Sequence, residues 1–412
     1  MKLELWMKKI ILFLVSQTIS LIGSFVVSYA VIWYITIETS SGIMMTIAIL
    51  CNFLPQIIIS LFAGVWADRY NRKLLVIFSD LFIAAATLVL AILWLSGHTN
   101  FAIIFVVMAV RSIGSGIQMP AVNAIIPQMV PTEQLTRINA INSTITNVLT
   151  LIAPALGGVL LAAGLVNALF FDVVTCLLAV ITFSFLRVPP TVSTNSPEIV
   201  GILGDLKAGL AYVRQNDWLR FMLIFYAIGF FLISPASFLS PIFVERVFGP
   251  EVWRLTANEI AWSLGAVIGG GVVAVWGGFR NRVFSMAFSY LFFGITFVLM
   301  GLAHNFWYYL SIMTISGLFL PLFTTSETTL IQEKTDPHMM GRVFAIINII
   351  VSAVMPLGMI MFGPLADVMN VRYIIVGTGV LTILVAVFIM SNQKFMTIDT
   401  EGRPGMKRQS RS

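Results

Sequence analysis

Asp80, Arg111, Asp172 and Glu327 stand inside long apolar stretches of this chain. An ionisable side chain in such a stretch costs at least about 2.5–3.5 kcal/mol if it faces lipid, so it should face a cavity or a partner. Arg111 is about ten residues into its run, hence about 15 Å deep by the helical rise. It is expected to line a cavity or to pair with a helix end. Each of the three acids is chemically able to carry a proton. Asp172 lies within the sixth run and Glu327 near the inner end of the tenth. Asp80, close to the inner boundary of the third, reads as a solvated carboxylate.

A second group is the string Gly64-Val-Trp-Ala-Asp68-Arg69-Tyr-Asn71-Arg72-Lys73, placed where one apolar run must turn and return. Gly64 would let neighbouring helices approach closely. Asp68 is suited to accept from the amino-terminal amides of a helix, where the dipole favours an anion. Arg69, Arg72 and Lys73 also serve as topology-setting charges. Asn71 would tolerate a left-handed backbone in the turn. A third group, Ala153-Pro154-Ala155-Leu156-Gly157-Gly158, combines a missing amide donor with small residues that permit tight helix packing. Gly265 and Gly269 read as packing residues of the same kind.

Other chemistries find no footing. There is no GxxxxGK[ST] phosphate loop, which argues against ATP hydrolysis by this chain. His98, His304 and His338 fall in separate loops and no HExxH occurs; Cys51 and Cys176 both lie in apolar runs. No metal, cofactor or catalytic residue is expected.

These residues need a scaffold that lipid tolerates. With 58% apolar and 10% charged residues in 412 and a mean hydropathy of +0.96, a water-soluble fold is excluded. Apolar runs of spanning length occur near 10–35, 43–65, 74–95, 101–127, 138–163 and 166–186, and again near 218–241, 258–277, 283–303, 306–330, 343–362 and 373–391. The fold class is therefore an all-α membrane protein with twelve transmembrane helices in two six-helix bundles. The first run is too long for a signal peptide. With the amino terminus in the cytosol, all of the 24 Lys and Arg fall on the cytosolic side except Arg111, Arg246, Arg254 and Arg372. Both termini are then cytosolic. The net charge of +6 reflects this loop bias and implies no nucleic-acid partner.

The expected organisation is a bundle over 1–190, a cytosolic linker over 191–217, a second bundle over 218–393 and a cytosolic tail over 394–412. Within the linker, Ile199, Leu203, Leu206, Leu210 and Val213 recur at helical spacing, which predicts an amphipathic helix on the membrane face. The halves echo one another weakly: GVWADRYNRK and WGGFRNRV end corresponding runs, and Pro120 and Pro321 are expected to break the fourth and tenth helices.

The Gly64–Lys73 string resembles the loop motif of the major facilitator superfamily, with Asn71 in place of the second Gly and Trp66 in place of a usual Leu. The resemblance implies that Asp68 caps the eleventh helix near Gly341-Arg342 when the cytosolic side is closed, making Gly64, Asp68, Arg69, Arg72 and Lys73 gating residues. Arg111 resembles the superfamily's Arg of the fourth helix, which with Asp172 and Glu327 implies a proton or substrate pathway. Pro154, Gly157 and Gly158 resemble the exporters' antiporter motif, with Ala153 replacing its first Gly. The stretches 119–136 and 332–344 resemble bacterial macrolide efflux proteins, a likeness that extends over nearly the whole chain. It implies export of a bulky amphiphilic drug, most simply a macrolide, in exchange for protons, by a monomer in the bacterial inner membrane. It leaves open a partner ATPase. Lysophospholipid and siderophore transporters of the same superfamily share parts of the pattern and stand as the alternative.

Overall fold

The computed structural model of the chain describes residues 2–186, 188 and 199–397. In chain order its helices are α1 (Lys2–Thr39), α2 (Gly42–Arg69), α3 (Arg72–Leu95), α4 (Phe101–Met129), α5 (Leu135–Ala162), α6 (Leu165–Ser184), α7 (Ile199–Gln215), α8 (Asp217–Phe238), α9 (Ser240–Phe248), α10 (Val252–Trp276), α11 (Arg282–Leu302), α12 (Phe306–Leu318), α13 (Leu320–Lys334), α14 (Met340–Val368), α15 (Val371–Ser391) and α16 (Gln393–Met396). Twelve spans are long and apolar enough to cross a bilayer; α8 with α9 makes one of them and α12 with α13 another. In lipid every backbone amide must be satisfied within its own segment, which is why the apolar runs fold as helices throughout. The linker helix expected from the apolar spacing is α7, with Val213 buried and Leu210 exposed. The turn-rich start of the linker, residues 189–198, and the tail from 398 onward lie outside the described residues.

The chain divides into two compact units. The first comprises 1–40, 44–196 and 251–256; the second comprises 41–43, 197–250 and 257–412. In the first, α1 packs on α5 and α6, and α3 on α4 and α6. In the second, α8 packs on α14 and α15, and α11 on α13 and α15. Numbered by span within each half, these are the same pairings: first with fifth and sixth, third with fourth and sixth. The weak internal echo in the sequence is thus a repeated arrangement of helices.

Helix starts repeat as well. Asn71 and Asn281 cap the third span of each half, and Asn100 and Asn305 the fourth, each accepting a backbone amide on its side-chain oxygen. Such a cap satisfies amides that otherwise have no partner and stabilises by about 1 kcal/mol. The seam between α10 and α12 is made of glycine: a Cβ on Gly265 or Gly269 would run into the backbone carbonyls of Thr314 or Leu318. Lipid offers no hydrophobic drive to pair helices, so close backbone approach of this kind supplies the contact.

The two prolines expected to break helices behave differently. At Pro321 the tenth span does break, α12 ending at Leu318 and α13 starting at Leu320 with proline in its first turn. At Pro120 it does not; α4 runs through both Pro120 and Pro127. A single missing amide in a buried membrane helix is accommodated locally, whereas proline in a first turn removes an amide that had no intrahelical partner anyway.

Candidate functional site

Buried polar residues of the first unit form two layers in which α3 and α4 meet α6 and α1. In one layer Arg111 Nη1 donates to Asp172 Oδ2 and to Thr87 Oγ1, and Thr87 Oγ1 donates to Asp172 Oδ2 at 2.8 Å. Asp172 is 0% exposed and Arg111 6%. Cys176 Sγ lies 3.9 Å from Asp172 Oδ1. In the other layer Asp80 Oδ1 accepts from Ser20 Oγ at 2.7 Å and from Gln118 Nε2 at 2.6 Å. Asp80 and Thr87 are seven residues apart on α3, as are Arg111 and Gln118 on α4. Two turns of helix separate the layers, about 10 Å, and the antiparallel helices keep them in register.

Arg111 therefore faces a partner, as its depth demanded. The reading of Asp80 as a solvated boundary carboxylate is overturned: it is 0% exposed, and its Oδ2 is buried with no hydrogen-bond partner. Charge within the two layers does not balance. Arg111 and Asp172 neutralise one another, leaving Asp80 as an additional acid with one oxygen unsatisfied. An orphan oxygen of this kind in a native interior is costly and calls for a function.

At the α2–α3 turn, Asp68 accepts from Arg72 Nη2 at 3.1 Å, and Arg72 also donates to the carbonyls of Ala67 and Ala124, both at 2.7 Å. Lys73 Nζ donates to the Ser184 carbonyl at 2.7 Å. Arg69 is exposed. Two of the three basic residues thus fasten the turn to α4 and α6 besides carrying charge. Asn71 is not left-handed: its φ is −64° and ψ 109°, and its side chain caps α3 through the amides of Lys73 and Leu74. The residue that stands where the superfamily motif has glycine works as a cap, which an extended backbone allows. Gly64, expected at a close approach, faces open space, with nothing within 4 Å of a Cβ built on it.

In α5, Pro154, Gly157 and Gly158 are buried. A Cβ on Gly157 would sit 3.2 Å from Tyr29 Cβ and from the Val26 carbonyl oxygen of α1; one on Gly158 would collide with Thr256 Oγ1. The motif glycines therefore serve contact between helices.

In the second unit Glu327 is half-buried on α13, with the buried hydroxyls of Tyr226 and Tyr290 in electrostatic reach. A more fully engaged acid there, Asp367, was missed by reading the sequence. It accepts from Ser41 Oγ at 2.8 Å, Gly42 N at 2.6 Å, Ile43 N at 2.9 Å and Arg246 Nη2 at 2.9 Å. Arg246 also donates to the Ala366 carbonyl. Asp367 thus caps the start of α2, whose first residues belong to the second unit while its remainder belongs to the first. A Cβ on Gly42 would strike the Gly363 carbonyl. The signal was present in the sequence: Gly363-Pro-Leu-Ala-Asp367-Val-Met-Asn370 repeats the pattern Gly64-Val-Trp-Ala-Asp68-Arg-Tyr-Asn71, and Asn370 caps α15 as Asn71 caps α3. Among the described residues, no group of three or more His, Cys, Asp and Glu is arranged to hold a metal ion.

Comparison with known proteins places this arrangement. The chain is 30% identical over 385 residues to Macrolide efflux protein A of Streptococcus pyogenes, covering 93% of this chain and 95% of that one. It is 24% identical to the Staphyloferrin A transporter of Staphylococcus aureus, over 93% and 96% of the two chains. A bacterial homolog of the human lysosomal transporter Spinster, solved in an inward-facing and unoccupied conformation, superposes with a TM-score of 0.71 at 15% identity, over 96% of this chain and 98% of that one. The profile of the Major Facilitator Superfamily matches residues 13–359. With twelve spans, two six-span units of matching helix pairings and this match along most of its length, the chain belongs to the major facilitator superfamily.

Proposed function

We propose that this transporter is a secondary exporter of bulky amphiphilic drugs, with a macrolide as the substrate and protons as the counter-ion. The observation that carries the transport reading is the buried acid Asp80 with its unpartnered Oδ2, two helical turns from the Arg111–Asp172 pair. Ionisable groups in a membrane interior are expensive, and their upkeep is accounted for by moving charge. The choice of macrolide rests on the 30% identity to Macrolide efflux protein A.

In this reading Asp80 takes a proton on the free oxygen, and Arg111 and Asp172 hold a neutral layer two turns away. Protonation and drug binding favour different states, since a ligand that binds both equally shifts nothing. The alternation is a rocking of residues 1–190 against 218–393. Asp68 with Arg69, Arg72 and Lys73 steadies the outward-open state. One charge moved through about 100 mV supplies about 2.3 kcal/mol, which sustains a roughly 50-fold drug gradient.

A second reading, a siderophore transporter, is favoured by the likeness to the Staphyloferrin A transporter. The test is accumulation of radiolabelled macrolide in cells that express this chain with its genomic neighbours deleted. Lowered accumulation supports macrolide export without a partner ATPase. Unchanged macrolide accumulation together with altered siderophore flux would move the assignment to the second reading.

A further inference from the structure

Glu259 lies two turns into α10. Its neighbour Asn258 is fully engaged: Tyr309 Oη donates to Asn258 Oδ1 at 2.8 Å, and Asn258 Nδ2 donates to Ser240 Oγ at 3.3 Å. Among the described residues, Glu259 receives only a long 3.4 Å hydrogen bond from Asn258 Nδ2. Among the described residues it forms no ion pair.

Its side chain contributes to the wall of a cavity of about 280 Å³ that lies within the second unit. The rest of that wall is chiefly apolar and includes the aromatic residues Phe230, Trp262, Phe293, Phe297 and Phe323. Trp262 is three residues beyond Glu259 and shares its face of α10. Trp262 and Phe293 stack with centroids 6.4 Å apart, as do Phe293 and Phe297 at 6.2 Å. Among the described residues, no Lys, Arg or His lines the cavity.

The combination selects a ligand chemistry. Aromatic faces carry partial negative charge and attract a cation, most strongly where water is excluded. The carboxylate supplies a full counter-charge, and the rings bury apolar substituents on the cationic atom. A neutral or anionic ligand leaves the acid without a partner in a membrane interior. The volume stands at the lower edge of ordinary ligand pockets, about 300–1,000 Å³, so it suits one alkylated ammonium group better than a whole drug molecule.

We propose that this cavity is a subsite for the alkylammonium group of an amphiphilic substrate, with Glu259 as its counter-ion and Trp262 and Phe293 as its ring walls. The proposal rests on the transport reading for its role in the cell, which it narrows to lipophilic cations; the binding itself stands apart from that reading.

The test is equilibrium dialysis of the full-length purified chain in detergent, using radiolabelled benzyltrimethylammonium and, as a probe of similar size and opposite charge, phenylmethanesulfonate. The wild type is expected to retain the cation and not the anion. Glu259→Gln should weaken cation binding at least about tenfold, as expected for loss of a charged partner, while Glu259→Asp keeps most of it. Trp262→Leu should weaken it several-fold with the carboxylate intact, and it carries the test if Glu259→Gln does not fold. Equal retention of both probes by the wild type, no retention of the cation, or unchanged cation binding in Glu259→Gln or in Trp262→Leu overturns the proposal. Cation binding that depends on Glu259, in a chain that exports no drug, would overturn the transport reading and leave this site standing.

Discussion

Replacing Asp172 by Asn keeps the side chain's shape and removes its charge. Arg111 is then left 6% exposed, with Thr87 and an amide in place of a carboxylate. A buried cation deprived of its partner costs about 3–5 kcal/mol, since the desolvation of Arg111 is no longer offset by any anion. Removing both charges together, as Arg111→Met with Asp172→Leu, should cost far less and fall between neutral and about 4 kcal/mol more stable than the wild type, because neither desolvation remains. The geometry thus predicts a strong coupling of the two substitutions. The assay is thermal or SDS-induced unfolding of the purified chain in detergent, followed by near-UV circular dichroism, for the wild type, Asp172→Asn, the single variants Arg111→Met and Asp172→Leu, and their double variant. An Asp172→Asn variant that unfolds like the wild type would refute the pairing. So would a double variant whose loss equals the sum of its two single losses, since independent sites add and coupled ones do not.

Other consequences concern packing and caps. Asn71→Ala should lose about 1 kcal/mol and Asn71→Ser little, because serine caps a helix almost as well; in the same unfolding assay, a large loss for Ser would restore the left-handed reading of this turn. Gly158→Ala should cost about 1–3 kcal/mol through overpacking against Thr256, and Thr256→Ala in the same chain should recover part of it, whereas full additivity of the two losses would dismiss the contact. Asp367→Ala removes the acceptor of two backbone amides, a hydroxyl and Arg246. It is expected to lower stability by about 1–2 kcal/mol, with a melting temperature equal to the wild type's as the contrary result.

What the sequence made legible, and what it hid, follows from how membrane helices announce themselves. Apolar runs marked all twelve spans, because lipid demands long uninterrupted stretches. The depth of Arg111 required a partner, and Asp172 was already among the candidates. Helix ends were hidden, since polar residues at a span's edge read as loop. The eighth run seemed to begin at 258, which put Glu259 at the boundary; α10 begins at Val252, which puts it two turns inside. The eleventh run seemed to end at 362, yet α14 continues to Val368 and carries Asp367 to the start of α2. Asp80 was misjudged for a related reason. Its burial comes from Ser20 on α1 and Gln118 on α4, partners that no local pattern around residue 80 reveals. The glycines divide in the same way. Gly265, Gly269 and Gly157 stand at close approaches between helices, whereas Gly64 meets open space, and nothing in the sequence around these glycines distinguishes the two cases.

Proton-coupled export through the Asp80 layer, as proposed, can be followed with the purified chain in proteoliposomes. Radiolabelled macrolide would be followed with an imposed proton gradient, with the gradient collapsed, and again in the Asp80→Asn variant. The wild type is expected to move drug uphill until the gradient is collapsed, and Asp80→Asn to support only downhill exchange. Uphill movement that persists without the gradient, or that Asp80→Asn sustains at the wild-type rate, would contradict the proposal.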